Sequence, residues 1–89
     1  MDDLAGKHAV VTGASSGIGK AIALLLAEEG VNLTLCGRNK EALTALAEEA
    51  RTTGVTVRTE CADFSDPKQL NALATTLCAD SEPVHILIH

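Results

Sequence analysis

The 89-residue chain contains no tyrosine and no tryptophan, and its one aromatic side chain is Phe64. It therefore has no aromatic platform on which bases could stack. Seven Lys and Arg stand against twelve Asp and Glu, for a net charge of −5, and the basic residues form neither a stripe nor a cluster. Together these absences argue against a dedicated nucleic-acid binder. The sequence has no run of eighteen apolar residues and no charged leader followed by a long apolar core. Neither a membrane span nor a secretory signal is expected, which points to the cytoplasm. Cysteine is sparse: Cys36, Cys61 and Cys78 are odd in number and lack C-x-x-C spacing. They are expected to be buried thiols in a reducing compartment. His8, His85 and His89 share no ligand spacing with them, so no metal site is expected.

A chain this short makes at most one small domain, and a chain of this size buries only about two-thirds of its unfolded surface. Its organising stretch is Thr12-Gly13-Ala14-Ser15-Ser16-Gly17-Ile18-Gly19. Ahead of it lies His8-Ala9-Val10-Val11, a short β-branched run suited to a buried strand. Behind it, Ile18, Ile22, Leu25 and Leu26 recur at helical spacing, and Gly30 supplies the stop. A strand, a glycine-rich turn and a helix follow in that order. Such a turn uses one glycine to bend sharply, one to admit a ligand close to backbone, and one to pack helix on strand. The unpaired N–H groups and dipole of the helix start favour a phosphate there.

Further along, Val31, Leu33 and Leu35 alternate with Asn32 and Thr34, predicting a second strand that ends at Cys36-Gly37. Asn39 is a candidate N-cap for a helix with Leu43, Leu46, Ala47 and Ala50 on one face and Glu41, Glu48, Glu49 and Arg51 on the other. Gly54 closes it. Val55, Val57, Thr59 and Cys61 alternate with Thr56, Arg58 and Glu60, predicting a third strand over about residues 55–62. Asp66-Pro67-Lys68-Gln69 predicts a helix start with Asp66 as N-cap, Pro67 first and Gln69 in capping-box fashion. Leu70, Leu73, Ala74 and Leu77 form its apolar face. Pro83 marks a turn, and residues 84–88 read as a fourth strand. The β-α-β-α-β-α-β alternation predicts an α/β fold with a parallel sheet between helices.

The spacing Thr-Gly-x-x-x-Gly-x-Gly after an N-terminal strand resembles the fingerprint of the short-chain dehydrogenase/reductase family. The resemblance covers nearly the whole chain and about the first third of a usual member. It implies a Rossmann-like doubly wound parallel sheet in the order 3-2-1-4, incomplete here. Residues 1–89 would be the N-terminal cofactor-binding part of a single domain, cut off after strand 4. Two helices would cover one face and the third helix the other, with ligand at the C-terminal edge of the sheet.

The family's cofactor positions fall on Gly13, Ser15, Ser16, Gly17, Ile18, Gly19, Arg38, Asn39, Asp63 and Phe64. NAD-binding relatives place a carboxylate after strand 2 to hold the ribose hydroxyl, whereas here Cys36-Gly37-Arg38 stands there. A guanidinium pairs with a 2′-phosphate, so the resemblance implies NADP(H). Arg38 also fits a solvated surface arginine. Many NADP-using relatives carry a basic residue where Ser16 stands, a departure from that pattern. Asp63 matches the family's acidic residue beside the adenine amino group, and it also fits an Asx turn ahead of Ser65. His89 falls where the family has the first Asn of an Asn-Asn-Ala-Gly segment.

Family members move a hydride between NAD(P)H and a small carbonyl or alcohol substrate, with an Asn, a Ser and a Tyr-x-x-x-Lys pair, and the complete protein is expected to be a homo-oligomer. A chain without tyrosine cannot carry that acid, so no catalytic position is transferred and these residues alone are expected to be inactive. A non-catalytic NADP-binding sensor and a small interaction module are the alternative readings.

Overall fold

The structure is a computed structural model that describes residues 5–14, 17–63, 66–79 and 86–88. Among them the elements run β1 (His8–Val11), α1 (Gly17–Glu28), β2 (Asn32–Gly37), α2 (Lys40–Arg51), β3 (Val57–Cys61), α3 (Pro67–Ala79) and β4 (Ile86–Ile88). The strands pair in parallel in the order β3-β2-β1-β4. Parallel neighbours require crossovers, and each crossover here is one helix.

Helices cover both faces. Ala9, Val11, Leu33, Leu35 and Val57 on one face pack with Ala23 and Ala27 of α1 and Leu43, Leu46, Ala47 and Ala50 of α2. Val10 and Cys36 on the other face pack with Leu73 of α3. A sheet covered on both sides hides polar positions as well as apolar ones. Thr34, which the alternation places opposite the apolar face, is fully buried and meets His8 Nε2 through its hydroxyl at 2.7 Å.

Two helix faces differ from the sequence expectation. In α1 the buried residues are Gly19, Ala23 and Ala27, whereas Ile18 and Leu25 are 77% and 61% exposed. Small side chains bring the helix axis close to the sheet, and the larger ones are displaced to its flanks and outer side. In α3, Leu73 is buried, but Leu70 and Ala74 are exposed. The α2 face is as expected, with all four apolar residues buried.

The helix ends follow local chemistry. Val31 N–H reaches Leu26 O and Gly30 N–H reaches Ala27 O, both at 3.0 Å, which is the Schellman pattern at the end of α1. Asn39 Oδ1 accepts from Ala42 N–H at 3.0 Å and caps α2. No helix among the described residues is long and apolar enough to cross a membrane.

Strand β3 begins at Val57 rather than Val55, and its burial fades along its length. Val57 is buried, but Thr59 and Cys61 are exposed. Among the described residues β3 pairs with β2 alone and is the edge of the sheet. The expectation of a buried Cys61 is thereby corrected. Cys36, one strand inward, is fully buried. Burial, and secondarily the charge of Glu60, pushes its thiol up to about 12, so it packs as a neutral group at physiological pH.

Candidate nucleotide site at the sheet edge

Register decides which loops meet. Val11 lies opposite both Leu35 and Ile88, whereas β2 continues two residues further, to Gly37 opposite Cys61. The turn after β1 therefore leaves the sheet beside the last residues of β2. Ala14 N–H donates to Cys36 O at 3.0 Å and fastens the turn there. One strand further out, Ala62 N–H donates to Gly37 O at 3.0 Å, and Cys61 Sγ donates to Arg38 O at 3.4 Å. Three loops, after β1, β2 and β3, are thus joined side by side on the C-terminal edge, where an open α/β sheet takes its ligand.

The three glycines of the turn have separate roles. Gly13 has φ +65°, a conformation that disfavours side chains. A Cβ at Gly17 would meet nothing within 4 Å, so the first turn of α1 has an open side. A Cβ at Gly19 would collide with the carbonyl of Gly13 and touch Ala14 Cα. Gly19 therefore sets how closely α1 lies against the turn, rather than leaving room for a ligand. The first turn of α1 carries no acidic residue, so no fixed negative charge opposes an anion there. Ile18, in that same turn, is exposed.

Arg38 and Asn39 are both exposed at the end of β2. Among the described residues, no ion pair engages the Arg38 guanidinium. Asn39 spends its side-chain oxygen on the α2 cap. Asp63 is half-buried, with its N–H donating to Gln69 Oε1 at 2.7 Å. Gly13, Gly17, Ile18, Gly19, Arg38, Asn39 and Asp63 thus share one edge, and Ser15, Ser16, Phe64 and His89 lie outside the described residues. Sequence reasoning missed Gln69 as a partner of Asp63, because the capping-box pattern assigns its side chain to Asp66. A cleft of about 190 Å³ lies between α1 and α2, lined by Ala14, Lys20, Ala42, Ala45, Leu46 and Glu49. Ala14 belongs to the turn after β1, so the cleft borders the same edge. No three His, Cys, Asp or Glu side chains gather as metal ligands among the described residues.

Comparison with known proteins agrees with this architecture. Over 85 residues the chain is 46% identical to glycine betaine reductase ATRR of Emericella nidulans, covering 96% of this chain and 7% of that protein. It superposes on L-sorbose reductase of Gluconobacter frateurii, solved with NADPH and L-sorbose, with TM-score 0.88 and 35% identity, covering 98% of this chain and 34% of that one. An NAD+-bound xylitol dehydrogenase matches with TM-score 0.87 and 33% identity over 94% of this chain and 32% of its own. The chain thus spans about a third of these solved relatives and a small part of the fungal reductase. Residues 7–89 match the family described as short chain dehydrogenase. With the glycine turn, the parallel sheet and the joined edge loops, that match places the chain in the short-chain dehydrogenase family of oxidoreductases, as its nucleotide-binding N-terminal region.

Proposed function

We propose that these residues hold NADP(H) for an oxidoreductase that interconverts a small carbonyl compound and its alcohol, and that they form the cofactor-binding part of one Rossmann domain whose catalytic groups lie elsewhere. The single observation that carries the NADP(H) reading is the exposed Arg38 at the end of β2, where a carboxylate would serve NAD. Relatives include both an NADPH complex and an NAD+ complex, so membership alone leaves the choice to local residues. When bound, the dinucleotide would donate the hydride in the reduction and accept it in the oxidation.

The chain's own residues bind and orient. The Gly13 turn and the N–H groups at the start of α1 would hold the pyrophosphate, and the open side of Gly17 would let it approach. Arg38 would pair with the 2′-phosphate, and Asp63 would accept from the adenine amino group. The 89 residues include no tyrosine, so the family's tyrosine acid is not among them.

The test is calorimetric titration at low salt with NADPH and NADH. NADPH should bind tighter by about 1–3 kcal/mol, the scale of a charge-assisted contact, and Arg38→Asp should reverse the preference. Equal affinities in the unmodified protein would remove Arg38 from the site.

A further inference from the structure

The run Asp66-Pro67-Lys68-Gln69 has the form of a capping box, in which Gln69 would reach back to the N–H of Asp66. That N–H is already taken, since it donates to Asp63 O at 3.1 Å. Gln69 reaches further. Its Oε1 accepts from Asp63 N–H at 2.7 Å, and its Nε2 donates to Asp66 Oδ2 at 3.3 Å. Asp66 Oδ1 meanwhile accepts from Lys68 N–H at 3.0 Å. A carboxamide suits this place because it presents an acceptor to a backbone N–H and a donor to a carboxylate at once. The Asp63 bond is partly buried, so its loss would leave an N–H poorly satisfied.

Asp63 therefore sits between two anchors. The preceding residue, Ala62, is held to Gly37 of β2, and Asp63 itself is held to the first turn of α3. Gly37 immediately precedes Arg38, so the loops bearing Arg38 and Asp63 are positioned together. We infer that Gln69 is a positioning residue for the adenosine end of the cofactor: by fixing the backbone of Asp63 it sets the spacing between the adenine contact and the 2′-phosphate contact. This rests on the dinucleotide reading above and adds a residue that touches no ligand itself.

The experiment titrates the protein that carries this chain with 2′,5′-ADP, the adenosine portion of NADPH, and follows amide exchange of Asp63. Gln69→Met, which removes both hydrogen bonds, should weaken 2′,5′-ADP about tenfold and abolish protection of the Asp63 amide. Gln69→Asn keeps the amide one methylene short and should do the same, which covers a Met variant that fails to fold. Gln69→Glu keeps the acceptor for Asp63 but sets a carboxylate against Asp66. It should restore affinity to within about twofold while lowering the melting temperature, a split that a purely helix-capping role would not produce. Unchanged affinity in Gln69→Met or Gln69→Asn overturns the inference, as does a Glu variant as weak as they are. If the unmodified protein binds neither 2′,5′-ADP nor NADPH, the dinucleotide reading itself falls, and the inference falls with it.

Discussion

Helices α1 and α2 lie on the same face of the sheet, are twelve residues long each, and pack by opposite means. In α2 the contact is made by Leu43, Leu46, Ala47 and Ala50, with Glu41, Glu48, Glu49 and Arg51 outside. Leucines fill the gap to the strands, and the polar residues mark the other side. Helix α1 is apolar almost all round, and its contact is the small-residue stripe Gly19, Ala23 and Ala27. It is pulled close because its first turn abuts the glycine turn, where a Cβ at Gly19 has no room. The helix that follows the glycine turn is thus placed by steric necessity at one end, and the next helix by hydrophobic burial along its length. A helix whose first turn packs against the backbone of the preceding turn cannot choose its face by hydrophobicity alone.

Substitutions can break this contrast, beginning where the effect is largest. Gly19→Val should cost about 3 kcal/mol or more in urea unfolding, because the new side chain must displace the Gly13 backbone. Gly17→Ala, two residues earlier and facing open space, should stay within about 1 kcal/mol of the parent. A Gly19→Val protein of undiminished stability would mean that α1 is not pinned by the turn.

Leucine truncation separates the two helices next. Leu43→Ala in α2 should lose about 2–4 kcal/mol, as expected for a buried leucine that leaves a cavity. Leu25→Ala in α1 should change stability by about 0.5 kcal/mol or less, since that side chain is largely in water. Comparable losses at the two sites would show that a further surface covers α1.

The smallest effect lies at the start of α2. Asn39→Ala should cost about 1 kcal/mol by removing the acceptor for Ala42 N–H. Because Asn39 adjoins Arg38, NADPH affinity measured alongside stability distinguishes a cap from a cofactor contact. Lower stability with unchanged affinity marks a cap alone.

Much of this protein follows from local chemistry and is therefore written in the sequence. Alternation of strand and helix patterns determined the parallel α/β class, since parallel neighbours need crossovers. The Asn39 cap, the Gly30 stop, the start of α3 at Pro67 and the whole contact face of α2 depend on residues within one or two turns of each other. The shared placement of Gly13, Arg38 and Asp63 was legible for the same reason: each lies within two residues of a strand end, and strand ends in such a sheet share one edge.

Whatever depended on a neighbour distant in sequence was decided by tertiary structure. Thr34 is buried because helices cover both faces of the sheet, with its hydroxyl paired to His8 of the adjacent strand, and Cys61 is exposed because β3 is the edge. The packing face of α1 was set by the carbonyl of Gly13, across the turn, rather than by the helix's own hydrophobic pattern. Gln69 turned to Asp63 because Asp66 N–H was already occupied. Hydrophobic periodicity reports which side of an element is apolar, but only the assembled sheet determines how close a neighbour comes and which polar groups remain to be paired.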